Sequence, residues 1–564
     1  MPVASVAAAR LRAASSTSAD KLTRVRPLYG LAVLSAVQLG IAVWFAFHTT
    51  HNGWVWHSGG DSTSFWTETW ALSHRLVPPA AIGYGLPVYY AWIPLIAGPS
   101  LLNGLPVVAI LQVAVLVPLA LVLFWLVAER LFGRVYAWFA ALLWVVAPLL
   151  MLLGFVKSYH AVFENFFLAP HWYGLTNMAD FPSLVAVLAA AWFTLRAIDR
   201  ADPTDYLLGG LMAGVALGLK PANGFFLPAV AVLLLGSRRW QLAGIWIAGI
   251  VPALITLALW KERGLGYLPL TKTGYERFHV AAGPAGTPLA FSTRNYIPLD
   301  FHHLADELHN LREVFWSLRF LEFLIVAGLF GVIRRAPLKG AFVATWFIAF
   351  CVVKASSPGS DFPSATFFRL TEPGLPAAIL LVAGAFYCLP VVGRRLAPVA
   401  APIVPRLSLQ NFDRRRLIPA TALCAVIPLL LIAIARIPST DRTIRDENRV
   451  QEAPISSAFH LTAQRKGGSV VLSWKTPSHG STTPSFLVFA SGDNNGCDPL
   501  PRGARHCKFN TMPTITTTRA TTFAVRLRAT ERQWFRVALV ADYLKTDVGG
   551  DLMLMSTATY VPAA

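Results

Sequence analysis

Charge is scarce in this chain of 564 residues. Only 14% are Asp, Glu, Lys or Arg, against about 25% in an ordinary globular domain. That little polar surface does not cover an apolar content of 55%, so a single soluble domain is excluded. The mean hydropathy of +0.53 agrees, and disordered, collagen-like and coiled-coil chains fail on the same composition. Cysteine is rare too: five residues build neither a disulfide scaffold nor a cluster of thiolate-bound metals. Acidic residues number 29 against 48 Lys and Arg, leaving a net charge of +19. This excess is not a nucleic-acid face, because much of it lies in short loops between apolar runs, where basic residues set membrane orientation. What remains is an integral membrane protein.

The sequence does have long apolar runs. Residues 1–27 carry Arg10, Arg12, Lys21, Arg24 and Arg26 among Ala and Ser and read as a disordered, basic cytoplasmic tail. The run 28–48 can span a ~30 Å hydrocarbon core and lacks a small-residue cleavage site, so it reads as a signal anchor. Further runs fall near 103–127, 135–153, 181–198, 206–221, 222–236, 243–260, 318–333, 340–354, 374–392 and 417–436, giving about eleven spans in a transmembrane domain 28–436. With the N-terminus inside, the inner loops hold Arg130 and Arg134, Arg196 and Arg200, Arg238 and Arg239, Arg334, Arg335 and Lys339, and a basic set from Arg394 to Arg416. Every inner loop is then basic. The outer segments are 49–86, 154–180, 261–317, 355–373 and everything after about 437.

Beyond a linker at 437–454, residues 455–564 change character. Short alternating runs such as 469–474 and 523–528, separated by Thr, Ser, Pro and Gly turns, read as an extracytoplasmic β-sandwich. Cys497 and Cys507 share one Gly/Asp/Asn/Pro-rich loop there and are expected to pair, with two unpaired loop thiols as the alternative. Cys351, Cys388 and Cys424 lie in spans and read as small apolar residues. The predicted protein is a polytopic α-helical protein of the plasma membrane.

Ionisable residues at membrane depth are functional candidates. Those unexplained as inner-loop charges gather at the outer ends of spans: Asp61 and Glu68, then Lys157, His160, Glu164 and Asp180, then Lys220, then Arg369 and Glu372. Carboxylates opposite cations suit one reaction. A carboxylate takes a proton from an acceptor hydroxyl, and the cations receive a leaving phosphate. A lipid-phosphate-linked sugar supplies both leaving group and anchor. Trp54, Trp56, Trp66, Trp70, Tyr84, Tyr89 and Tyr90 crowd the first outer loop, which fits sugar binding and a membrane interface equally.

Plainer readings stand beside these. Asp61 fits the cap of a helix starting at Ser62, and Asp180 also fits a cap. Lys220 fits a snorkelling lysine, Arg369 a loop anchor, and His160 with Glu164 a local pair one helical turn apart. His302, His303 and His309 lie with Asp300, Asp306 and Glu307 but match no zinc spacing; 300–316 reads as an amphipathic interfacial helix. The residues leave a divalent metal ion open.

The order of these motifs resembles the GT-C superfamily of membrane glycosyltransferases, above all the polyprenyl-phosphate-mannose and aminoarabinose transferase type. Gly60-Asp61-Ser62 and Ile82-Gly-Tyr-Gly-Leu-Pro-Val-Tyr-Tyr90 are similar to its first outer loop. Asp180 in 177–183, the Gly-rich 214–223 ending at Lys220, and 368–376 with Arg369 follow in the family's order, over about 28–436. Many relatives have two adjacent acids where this chain has Asp61 and Ser62. The resemblance implies transfer of a monosaccharide from a polyprenyl-phosphate donor to a glycan, glycolipid or protein acceptor on the outer face, with no nucleic-acid partner. It implies Asp61 and Asp180 as catalytic acids, Lys220 and Arg369 as phosphate contacts, and Trp66, Tyr84, Tyr89, Tyr90, Glu164 and His160 as substrate-binding residues. Residues 455–562 resemble a fibronectin type III module, with Trp474 early and 533–541 late. The rival readings are a transporter or flippase of lipid-linked sugars, and a noncatalytic envelope glycan-binding scaffold.

Overall fold

A computed structural model of the chain describes residues 26–48, 59–78, 80, 82–97, 101–160, 163, 168–238, 240–265, 300–357, 360, 362, 366–389, 412–436, 455–477, 485–491, 514–540 and 552–563. The tail before residue 26, the linker, Glu164, Cys497 and Cys507 lie outside these, as does the side chain of Asp61. The expected disulfide therefore falls outside the described residues.

Among the described residues eight helices are long and apolar enough to cross a membrane: Pro27–Ala46, Pro106–Phe132, Arg134–Gly154, Asp180–Arg200, Leu242–Gly264, Pro337–Lys354, Phe367–Cys388 and Arg414–Ile434. The other three apolar runs are helical as well. Pro203–Leu219 and Leu227–Gly236 have 17 and 10 residues, and Leu318–Arg335 carries Arg319, Glu322, Arg334 and Arg335. One boundary differs from expectation. The run predicted at 374–392 begins at Phe367 and ends at Cys388. Its first turns hold Arg369 and Glu372, which lower the hydropathy there. Pro373 and Pro376 enter at the starts of short helical pieces, where proline removes no helical hydrogen bond.

Local sequence builds the pair of helices that frames the site. Asp202 caps Pro203–Leu219 by accepting from the Thr204 amide at 2.9 Å, with Pro203 in the first turn. Ala201 before it adopts a left-handed φ of 54° that closes Asp180–Arg200. The chain therefore turns sharply and returns antiparallel, so that Asp180 at one helix start meets Lys220 at the other helix end. Gly210 faces the backbone of Trp246 and Gly249, where any side chain collides, so Pro203–Leu219 also packs tightly on Trp240–Leu265.

The loops separate to two ends. At one end Asp199 pairs with Arg130 at 3.1 Å and Lys339 at 3.5 Å, Asp205 pairs with Arg196 at 2.6 Å, and the Asp413 amide donates to Thr204 at 3.1 Å. These are the segments read above as inner. At the other end the Val156 amide donates to the Val314 carbonyl at 2.7 Å, and Tyr159 stacks on Phe362 at 5.4 Å. The helix Phe301–Val314 lies there, capped by Asp300. The amides of His303 and His302 hold the Asp300 carboxyl below its usual range. Glu307, buried on this amphipathic helix, accepts from the Phe362 amide, and His303 meets the Ser360 carbonyl one turn away. Replacing Glu307 by Ala leaves the Phe362 amide without this acceptor, an expected loss of about 1–3 kcal/mol, measured by thermal unfolding in detergent.

The C-terminal region forms two sheets. Thr462–Lys466, Ser469–Ser473 and Thr522–Arg526 pair antiparallel. The second sheet runs in the order Ile455–Ser456, Leu552–Ser556, Gln533–Val540, Ser485–Ser491, Thr514–Thr518, with Thr559–Val561 also beside Gln533–Val540. Alternate residues of both sheets, among them Val470, Leu472, Phe486, Val488, Phe535 and Val537, fill one apolar core, as a sandwich requires. Trp474 meets Phe486 edge-on within it.

Candidate functional site

The site forms where three buried turns converge. Asp180 opens its helix as the first residue, and Ala179 rather than Asp180 occupies the capping position. The carboxylate accepts from Lys220 through Oδ1 and lies 3.6 Å from an Arg369 guanidinium nitrogen through Oδ2. Lys220 also donates to the Arg369 carbonyl at 2.8 Å. One lysine thus ties Asp180–Arg200 to the short helix Thr366–Thr371. Lys220 and Arg369 keep 13% and 21% of their side-chain surface exposed, whereas Asp180 keeps 2%. A ligand approaching from outside meets the cations first.

Further groups complete the cluster: Glu372, already a candidate in the sequence, and His171 and Lys354, which were not. Glu372 is buried one turn after Arg369, its carboxylate 3.9 Å from the buried His171 ring. Lys354 is buried at the end of Pro337–Lys354 and donates to the Ser357 hydroxyl at 3.1 Å. Its ammonium stands 5.7 Å from the Phe225 ring centre and feels the charge of Lys220. Lys220, Arg369 and Lys354 thus face two carboxylates, Asp180 and Glu372, so the cluster is set to receive an anion.

The first outer loop docks beside this cluster. Gly83 and Gly85 lie against the backbone of Gly218 and Leu219 so closely that no side chain fits, and the Tyr84 ring covers Gly218, two residues before Lys220. Burial pushes the Tyr84 hydroxyl well above its ordinary pKa. From the other side, Trp260 donates to the Ile82 carbonyl at 3.0 Å, and Lys261 to the Ala80 and Ile82 carbonyls at 2.7 and 2.8 Å. A methyl group at Gly218 meets the Tyr84 ring. We expect Gly218→Ala to displace this loop and to cost about 1–3 kcal/mol as an overpacked contact, checked by thermal unfolding.

The remaining nominated residues distribute as follows. Asp61 lies in the first turn of Gly59–Ser73, which starts three residues before Ser62; the expected cap of a helix beginning at Ser62 is corrected accordingly. Trp66 on the same helix is fully buried against Gly104 and packs the core. Tyr90 is buried at the end of Gly85–Tyr90, with Tyr89 partly buried. The His160 ring is 3.0 Å from the Phe155 carbonyl of its own loop, and Phe155 reaches Phe368 beside Arg369 at 6.4 Å. Lys354 and His171 escaped sequence reading. The only signal for Lys354 was a lone lysine closing an apolar run, the same signal that a snorkelling lysine gives. No group of three or more His, Cys, Asp or Glu able to hold a metal ion occurs among the described residues.

Comparison with known proteins bears on this geometry. Residues 160–260, which include Asp180, Lys220 and the two helices joining them, match the model of the dolichyl-phosphate-mannose-protein mannosyltransferase family. Among solved structures the chain is similar to the apo oligosaccharyltransferase of Archaeoglobus fulgidus, at 12% identity and a TM-score of 0.39, covering 73% of this chain and 56% of that one. It therefore spans little more than half the length of that enzyme. It is also similar to ArnT from Cupriavidus metallidurans bound to undecaprenyl phosphate, at 16% identity and a TM-score of 0.39, covering 76% of this chain and 81% of that one. The search of curated proteins gives no match. The family match thus falls on the two helices that carry Asp180 and Lys220.

Proposed function

We propose that the chain transfers a monosaccharide from a polyprenyl-phosphate donor to a hydroxyl of a glycan, glycolipid or protein acceptor on the outer face of the cytoplasmic membrane. The N-terminus then lies in the cytoplasm and the β-sandwich outside, where it binds glycan or steadies the acceptor. The observation that carries this reading is the convergence of Lys220 and Arg369, both partly open, on the buried Asp180 at one end of the helical domain.

In the proposed reaction the acceptor oxygen attacks the anomeric carbon while Asp61 takes its proton. The bond from the anomeric carbon to the phosphate oxygen breaks, and that oxygen leaves with the electron pair. Lys220 as a point charge and Arg369 through its planar fork neutralise the departing lipid phosphate. Asp180 stands behind them. Its carboxylate is occupied by both cations, which suits it to hold their geometry ahead of the ligand. Lys354 raises the local positive potential.

A transporter or flippase places its polar sites near the membrane midplane, on broken helices. Here Asp180, Lys220, Lys354 and Arg369 sit at helix ends. The test is transfer of label from a panel of radiolabelled polyprenyl-phosphate sugars to an envelope glycan extract by purified protein. Labelled product supports the reading. Lipid movement between leaflets of a proteoliposome with no product contradicts it.

A further inference from the structure

One buried polar group has no part in the chemistry above. The helix that begins at Leu101 passes into a π-helical stretch at Ile110–Leu116, an uncommon geometry that recurs at functional sites. Gln112 lies in that stretch, fully buried, and neither its amide oxygen nor its nitrogen finds a hydrogen-bond partner other than Tyr90 among the described residues. An amide within a membrane span is costly when it stays unbonded. Its side chain faces the hydroxyl of Tyr90, which is also buried, and beyond this mutual contact neither group has a hydrogen-bond partner among the described residues. The two groups together offer donors and acceptors, uncharged, to something not in the chain.

Two separate segments connect this pair with the ion cluster. Gly174, at a left-handed φ of 66°, crosses directly over Gln112, whose Cβ a side chain there would meet at 3.0 Å. Six residues later that segment ends at Asp180, after the buried Thr176 hydroxyl, also unpartnered. From the other direction the helix Gly85–Tyr90 starts against Leu219, next to Lys220, and ends at Tyr90. At 1.5 Å per residue it covers about 8 Å, the scale of one sugar ring from its phosphate.

We propose that Gln112 and Tyr90 form a neutral subsite that reads the hydroxyl groups of the donor's monosaccharide. The proposal rests on the reading of the chain as a lipid-phosphate-sugar transferase and adds the sugar class. An amide and a phenol bond to hydroxyls in either direction, and neither compensates a charge, so the ligand is an uncharged polyhydroxylated sugar rather than an amino sugar or a uronic acid.

The test compares binding of undecaprenyl phosphate with that of its mannosyl, arabinosyl and aminoarabinosyl derivatives to full-length protein in nanodiscs. We expect the wild type to bind a neutral derivative at least about tenfold more tightly than the sugar-free lipid. Gln112→Met and Tyr90→Phe are expected to remove most of that margin and to leave binding of the sugar-free lipid unchanged. Gln112→Met is also expected not to lower the melting temperature, because it removes a buried amide whose one polar contact is the Tyr90 hydroxyl. A margin unchanged in both variants, tightest binding of the aminoarabinosyl lipid, or a lower melting temperature in Gln112→Met overturns the subsite. A wild type that transfers no sugar from any donor counts instead against the proposed function.

Discussion

Replacing Lys220 by Met is expected to lower sugar transfer by about 10²- to 10³-fold, the usual effect of removing one preorganised group from a developing anionic charge. The same change strands a buried carboxylate. Asp180 keeps only Arg369 as a direct ion-pair partner, at 3.6 Å, and a buried charge that loses a partner costs about 3–5 kcal/mol. The two effects separate in the double variant Asp180→Asn with Lys220→Met. That protein carries no stranded charge and is expected to unfold near the wild-type temperature, yet to remain inactive. If it regains activity along with stability, Lys220 serves the fold and not the reaction. The comparison uses initial rates and melting curves on the same preparations.

Asp61→Asn is expected to lower transfer by about 10²- to 10⁴-fold, the contribution of a positioned general base, with binding of the lipid phosphate unaltered. Asn keeps the size and hydrogen-bonding reach of Asp and loses only the capacity to hold a proton. Equal rates for the two proteins remove Asp61 from the mechanism. A parallel loss of lipid binding assigns it to the binding site instead. Either result leaves the cation pair untouched, because Lys220 and Arg369 converge on a different acid.

The sequence exposes those features that depend on one segment at a time. Apolar runs fix the helices because backbone groups in lipid must be satisfied within the helix, and among the described residues each of the eleven runs holds a helix. Asp202-Pro203 announces a cap and a first turn, and the structure has both. Asp180, Lys220 and Arg369 stand out as charges at the outer ends of apolar runs, and they meet in space. What depends on tertiary packing was hidden. The tenth run starts seven residues earlier than hydropathy indicates, since Arg369 and Glu372 are charges accommodated within a helical turn by partners from other segments. His171 and Lys354 join the cluster by long-range packing that no local spacing encodes. Among the described residues Gln112 is one of two buried glutamines in spans, Gln38 being the other, and the π-helical turn, Tyr90 and the crossing of Gly174 distinguish it.

The most direct test of the account is the affinity for undecaprenyl phosphate itself, titrated into wild type and into the Asp180→Asn, Lys220→Met double variant in nanodiscs. If the cluster receives the lipid phosphate, the wild type binds and the double variant binds at least about tenfold more weakly, a difference of roughly 1.4 kcal/mol. Equal affinities in the two proteins contradict the claim that this cluster holds the donor phosphate.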